Sequence, residues 1–320
     1  LPRASSSSRN DFYEKAGKST MREARRLLFI ALSFAATGLG FLHVLAAAEE
    51  NAAATPRILS IGGDITEILY DLGQQDKIVA VDTTSLYPAN ALKDKKAVGY
   101  MRALSAEGVL SVNPTMIIAS EQAGPPEVVT ALKSSGITYV DISDKPSAVG
   151  VPKKIRHVGR VIGAEPAADA LAKKVESQFA ALETERKHIK TPKRAVFILA
   201  IVNGRATVGG SGTAADAILR LAGVENAAAA VSGYKPVSDE QLTEFAPDVV
   251  VTMSRGGSDQ HKAAQALTLP GLSQSPAAKT NKIIEMDGLY VLGFGPRAPA
   301  AAHDLMKAIY AEAGQAATAP

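Results

Sequence analysis

Along residues 56–81, PRILSIGGDITEILYDLGQQDKIVAV, a short apolar run gives way to a Gly-Gly turn. Apolar positions at helical spacing follow, stop at Gly73, and lead into a second apolar run. This pattern predicts strand, loop, helix, strand, with Asp64 and Glu67 in capping-box positions at the helix start. Residues 194–226, RAVFILAIVNGRATVGGSGTAADAILRLAGVEN, repeat the theme: an apolar run, a glycine-rich loop, then a helix capped by Thr213 and Asp216 and ended by Gly223.

A second echo follows each of these units. VGYMRALSAEGVLSVNPTMIIAS (98–120) and SGYKPVSDEQLTEFAPDVVVTMS (232–254) align with one deletion. Both run Gly-Tyr, a short loop, Ser-x-Glu opening a short helix, a proline, and a β-rich apolar stretch. A duplicated α/β unit accounts for both echoes. The predicted fold class is therefore α/β, with two similar Rossmann-like lobes at 56–148 and 193–314, parallel sheets, helices on both faces, and a ligand cleft between the lobes. Residues 149–190 read as a helical connector, with apolar positions at Val158, Val161 and Ile162, then Ala170, Leu171, Val175, Phe179 and Leu182. Glu165-Pro166 interrupts the pattern, so two consecutive helices or one kinked rod are expected. Such a connector is stiffer than a pair of extended hinge strands, and the cleft is expected to open only slightly.

The N-terminal stretch stands apart. From Met21 the chain reads MREARR, a 16-residue apolar run, then HVLAAAEE. That is the pattern of a secretory signal peptide starting at Met21 and cut after Ala48, which sets residues 1–48 aside from the fold. The alternative is an uncleaved anchor, for which the apolar run falls short of the roughly 20 residues a span needs. Removing the leader also changes the charge. Residues 1–48 hold seven of the 35 basic and three of the 32 acidic side chains, leaving 28 against 29. With no basic surplus, nucleic acid is disfavoured as a partner. The chain has no cysteine, so an exported form relies on its core rather than on disulfides and lacks the acylation site of a lipoprotein. A soluble protein of a Gram-negative periplasm is the expectation.

Open α/β sheets bind ligands at the carboxyl ends of their strands. Those ends carry Gly62-Gly63, the Tyr100 loop, Ser120-Glu121, Gly204-Arg205, Gly209-Gly210, the Tyr234 loop and Arg255. Tyr100 has two readings. It is a half-buried tyrosine packing at a lobe edge, or it is a metal ligand, because tyrosine is an axial ligand of haem iron and a ferric ion favours the phenolate. Arg102 would then steady the negative charge, and Met101 would offer adaptable apolar contact. Glu107 and Glu240 each sit in the first turn of a helix, where the dipole alone favours an acid. Their matched places on two lobes also suit docking on a two-fold membrane partner.

Other chemistries lack their residues. SIGGDITE does not have the G-x-G-x-x-G spacing, and VGGSGTAAD lacks the lysine of a P-loop. His157, His188, His261 and His303 are scattered without metal-ligand spacing. There is no G-x-S-x-G elbow and no evident catalytic set.

Together, SIGGDITEILYDLG, VAVDTTSLYPA, VGYMRALSAEGVLSVNPT, TAADAILRLAG and LGFGPRAPAA resemble the periplasmic haem-binding proteins of bacterial haem ABC importers, over about residues 56–314. The resemblance implies a non-catalytic, monomeric substrate-binding protein that carries ferric haem. It implies Tyr100 as the axial iron ligand with Arg102 in support and Met101 beside it. Arg205, Tyr234, Phe294 and Arg297 would line the second lobe's side of the cleft. Glu107 and Glu240 would meet basic residues of the ABC permease dimer, which works with its ATPase subunits. Because Lys235-Pro236 follows Tyr234 where Met-Arg follows Tyr100, one iron ligand is expected rather than two. A ferric-siderophore or corrinoid receptor of the same fold is the nearest alternative, and an exported two-lobed α/β enzyme a more distant one.

Overall fold

The computed structural model describes residues 55–254 and 265–311. The signal-peptide reading of residues 1–48, together with Arg255, His261 and residues 312–314, lies outside them. The described residues from Pro56 onward form one compact unit.

In the first lobe, β1 (Ile58–Ile61), β2 (Ile78–Val81), β3 (Lys96–Ala97), β4 (Met116–Ser120) and β5 (Thr138–Ile142) make a parallel sheet in the order β3-β2-β1-β4-β5. β1 is buried throughout, as suits a central strand read as one apolar run. Chain order reverses between β1 and β4, so the crevice for a ligand opens at their carboxyl ends. Helices α1 (Gly63–Asp71), α2 (Ala91–Asp94), α3 (Ala106–Leu110) and α4 (Pro126–Lys133) lie between these strands. Ser105 caps α3 by accepting from the Gly108 amide. α1 departs from the expected capping box. Its N-cap is Gly62, with no side-chain cap, while Asp64 and Glu67 are buried and turned towards other elements.

The connector is two helices, α5 (Gly150–Val161) and α6 (Glu165–Arg186), divided at Gly163 with Pro166 in the first turn of α6. α5 buries Val151, Ile155 and Val158, and α6 buries Ala168, Ala172, Val175, Phe179 and Leu182. Ala170, expected on that apolar face, is exposed, and Leu171 is only partly covered. Arg156 clips the two helices together through Asp169 at 3.0 Å and a two-pronged contact with Glu176 at 2.6 and 3.1 Å.

The second lobe contains β6 (Arg194–Val202), β7 (Arg205–Gly209), α7 (Ala214–Leu221), β8 (Glu225–Asn226), β9 (Tyr234–Pro236), α8 (Asp239–Phe245) and β10 (Val249–Ser254). α9 (Pro276–Lys279), β11 (Ile283–Asp287), α10 (Gly288–Leu292) and α11 (Ala298–Tyr310) follow. The sheet order is β11-β10-β6-β7-β9, with β8 beside β6. Parallel pairing was the expectation for both lobes, and here the sheet is mixed: β7 runs antiparallel to β6 and to β9. The cause is Asn203-Gly204, with φ of 53° and 76°, which closes a tight hairpin where a simple loop was expected.

One apolar cluster runs through both lobes. Ile58, Ile65 and Ile68 meet Val151, Ile155 and Val158 of the connector, and the cluster continues through Phe179 to Phe197, Ile218 and Leu305. Separate clusters fill the outer face of each sheet. A core shared across the connector resists wide separation of the lobes.

Candidate functional site

The repeated segments keep their backbone plan. Gly99 and Gly233 both have positive φ, and each copy ends in a left-handed residue ahead of its proline, Asn113 before Pro114 and Ala246 before Pro247. What differs is how each tyrosine is held.

In the first lobe, the segment after β3 is a turn in which the Ala103 amide donates to the Tyr100 carbonyl at 2.8 Å. Two more backbone bonds tie it to the segment after β4: Gly124 amide to Met101 carbonyl and Leu104 amide to Gly124 carbonyl, each 2.9 Å. Gly99, at φ 102°, makes the bend that turns Tyr100 away from the sheet. Tyr100 lies outside every strand and is 45% exposed. Its hydroxyl accepts from Arg102 Nη1 at 3.4 Å. Met101 is partly buried against the lobe's outer core, its sulfur 3.9 Å from Thr84 Oγ1, so it backs the loop more than it lines the opening.

A polar frame holds this rim. Asp82, fully buried, accepts from the Gly62 amide at 2.8 Å and the Thr84 amide at 2.9 Å, which pins the turn after β1 to the segment after β2. Arg102 Nη2 donates to Gln122 Oε1, and Gln122 Nε2 donates to Asp144 Oδ2 at 2.7 Å. Asp144 Oδ1 accepts from Lys154 Nζ at 2.8 Å, and Lys154 also meets Asp64. Burial opposes the Lys154 charge, but Asp64 and Asp144 outweigh it and hold the ammonium well above the usual lysine range. Burial lifts Asp64 above the usual carboxylate range, and Lys154 offsets only part of that.

In the second lobe, Tyr234 belongs to β9 and pairs with Gly209 of β7. Its hydroxyl accepts from the Ala215 amide at the start of α7, at 3.2 Å. Burial pushes the phenol up, opposed by the Ala215 amide, the Thr213 hydroxyl and the charge of Arg102 on the opposite lobe. Thr213 caps α7 as expected, accepting from the Asp216 amide.

The other second-lobe candidates separate from this pair. Phe294, expected in the cleft, is 2% exposed and packed in the shared core at φ 49°. Its bulk and its place between Pro296-Arg297 and α10 make it a structural plug. Arg297, also expected to line the cleft, reaches across the lobes: its amide donates to Glu67 Oε1 at 3.1 Å and its Nη2 to Glu67 Oε2 at 2.9 Å. The guanidinium lies 3.6 Å over the Tyr87 ring and 5.1 Å from the Tyr290 ring. Burial raises Glu67 above the usual carboxylate range despite Arg297. Arg205 is exposed at the start of β7, opposite Val202 next to the hairpin turn. Sequence reasoning did not single out Leu86, Tyr87, Gln122 or Asp144; the first two leave apolar surface exposed beside the first-lobe rim.

Glu107 and Glu240 are exposed in the first turns of α3 and α8. Ser238 and Gln241 complete the expected capping box on α8. The Ser238 hydroxyl, and after it the backbone, hold Glu240 below the usual range. Among the described histidines, His157 and His303 lie on α5 and α11, His188 follows α6, and His303 pairs with Glu185 at 3.1 Å. None is at the rim. Among the described residues no helix is long and apolar enough to cross a membrane.

A family model described as periplasmic binding protein matches residues 58–290. Among solved structures, a periplasmic haem-binding protein from Roseiflexus in apo form superposes with a TM-score of 0.75 at 36% identity, covering 80% of this chain and 98% of its own. A periplasmic haem-binding protein solved with two haems gives 0.74 at 34% identity, over 79% of this chain and 97% of its own. Among sequences, an ABC transporter substrate-binding lipoprotein of Bacillus subtilis is 31% identical over 79% of this chain and 80% of its own length. A vitamin B12-binding protein of Vibrio parahaemolyticus is 24% identical over 75% of this chain and 84% of its own. These relatives are described as binding proteins.

Proposed function

The chain belongs to the periplasmic binding protein family, and from that premise we propose that it captures ferric haem between its lobes and delivers it to an ABC permease. Tyr100 is the axial iron ligand, and Arg102 stabilises its phenolate. The observation that carries this reading is the exposed Tyr100 with the Arg102 guanidinium 3.4 Å from its hydroxyl. Metal binding must displace the phenolic proton, and an adjacent fixed cation favours the anion that results. Leu86 and Tyr87 offer apolar surface to a porphyrin edge. The likeness to haem-binding proteins of known structure supports the same ligand.

Delivery uses Glu107 and Glu240. Both are solvent-facing acids on short helices in corresponding places of the two lobes, as docking on a two-fold permease dimer with its ATPase subunits requires. The site of action is the periplasm, and the protein works as a monomer whose lobes part slightly under force from the permease.

Hemin titration followed by visible absorption tests the reading. The wild-type protein should give a saturable ferric complex with a phenolate-to-iron charge-transfer band, and Tyr100→Ala should lose both the band and most of the affinity. Unchanged spectra in Tyr100→Ala would refute the ligand assignment. A corrinoid is the second reading, favoured by the likeness to vitamin B12-binding relatives. Cyanocobalamin that binds while hemin does not would select it.

A further inference from the structure

Arg102 is a long, exposed side chain, and an exposed arginine loses rotamer entropy when it is held in one place. Here it is held. Its Nη2 is taken by Gln122 Oε1, leaving Nη1 for Tyr100. Gln122 is fixed at both ends, its amide N–H on Ser120 Oγ at 3.1 Å and its side-chain Nε2 on Asp144 Oδ2 at 2.7 Å. Asp144 is fixed in turn: its amide donates to Glu121 Oε1 at 2.9 Å, and its other oxygen accepts from Lys154 at 2.8 Å. Lys154 is 4% exposed on α5 and also meets buried Asp64 on α1. A continuous polar line thus runs from the rim phenol to the connector helix.

We infer that Gln122, seated by Asp144 and Lys154, is a positioning residue that aims Arg102 at the Tyr100 oxygen and so sets how tightly the protein holds its ligand. The inference rests on the reading of Tyr100 as an iron ligand. The chemistry agrees at each joint. A neutral amide can accept from a cation at one end and donate to a carboxylate at the other, which no charged side chain of that length does. Lys154 neutralises Asp144 from behind, so the carboxylate orients Gln122 without drawing Arg102 away from the rim.

The test uses the full chain and five proteins: wild type, Gln122→Leu, Arg102→Ala, the double variant of these two, and Tyr100→Phe. Leucine removes both hydrogen-bonding ends at an exposed site, and thermal unfolding should show Gln122→Leu folded like the wild type. Hemin affinity and the intensity of the phenolate-to-iron band are read for each. Gln122→Leu should weaken hemin binding about three- to tenfold, the range expected when one hydrogen bond of ordinary strength is lost, and should diminish the band. In the Arg102→Ala background the same substitution should change affinity by less than about twofold, because its effect passes through Arg102. A silent Gln122→Leu, or an equal loss with and without Arg102, would overturn the positioning role while leaving the iron ligand intact. A wild-type complex without the band, or a band that survives Tyr100→Phe, would overturn the Tyr100 reading and this inference with it.

Discussion

Arg297 offers the sharpest test of how the lobes are held together. Arg297→Ala removes the guanidinium from Glu67, whose side chain is 3% exposed against 27% for Arg297. Removing one partner of a fully buried pair costs about 3–5 kcal/mol, because the other charge is left without compensation. Two features reduce that figure here: Arg297 is partly solvated, and the amide of residue 297 still donates to Glu67 Oε1 at 3.1 Å. One raises it, since the guanidinium 3.6 Å over Tyr87 adds about 0.5–1 kcal/mol. The expected loss is about 3 kcal/mol, or roughly 6–12 °C in Tm for a protein of this size.

The assay is urea unfolding followed by circular dichroism at neutral pH and again near pH 5. Burial places Glu67 above its ordinary value of 4.5, so the folded state takes up this proton at higher pH than the unfolded chain does. Charged Glu67 is therefore a cost that fades as pH falls towards that value, and the Arg297→Ala deficit should shrink with it. Arg297→Ala combined with Glu67→Gln removes the stranded charge and should recover at least half of the loss at neutral pH. A deficit below about 0.5 kcal/mol, or one equally large at both pH values and in the double variant, would refute the account of Arg297 as an interlobe tie.

Other consequences are quicker to check. A Cβ on Gly159 would sit 2.1 Å from the Ala168 Cβ, so Gly159→Ala should force α5 from α6 and cost about 1–3 kcal/mol in the same unfolding assay. Ser238→Ala breaks the capping box on α8 and should cost about 1 kcal/mol. Lys154 is held above its ordinary 10.5, so its pairing stabilises the fold fully below that value and is lost as pH rises beyond it. The Lys154 share of wild-type stability should hold up to about pH 10.5 and decline only as pH rises above it, with a shallower decline in Lys154→Met. Charge reversal at Glu107 and Glu240 together should leave hemin titrations unchanged and abolish ATP-dependent uptake in reconstituted permease vesicles; full uptake would exclude the docking role.

Much of the architecture follows from local pattern. Apolar runs bounded by glycines marked the strands, and the Ser-x-Glu and Ser-x-x-Gln steps marked α3 and α8. The hairpin of β6 and β7 was also legible, since Asn-Gly between two apolar runs is the strongest short signal for a tight turn. Reading VNGRATVGG as one glycine-rich loop hid it. Asp64 and Glu67 misled for another reason: capping-box spacing is local, whereas both acids are consumed by Lys154 and Arg297, 90 and 230 residues along the chain. No local pattern encodes such partners. Phe294 lies in a loop by sequence, yet φ 49° folds its ring inward to the core. Gln122 carried no signal at all, because its role exists only once β3, β4 and β5 bring their carboxyl ends together.

The two Gly-Tyr copies hold their phenols differently, which is why only one of them is proposed as an iron ligand. Tyr100 projects from a turn outside the sheet, and its hydroxyl faces a guanidinium held from behind by Gln122. Tyr234 is a strand residue paired with Gly209, and its hydroxyl is already occupied by the Ala215 amide at the start of α7. Tyr234 is nearly as exposed as Tyr100, at 38% against 45%, but ligating iron from there would mean giving up that hydrogen bond. The hairpin that makes the second sheet mixed is what brings β7 beside β9 and fixes Tyr234 in this setting. The same hairpin gives the copies different settings: the first phenol stands on a turn beside a guanidinium, and the second accepts from the amide at the start of α7.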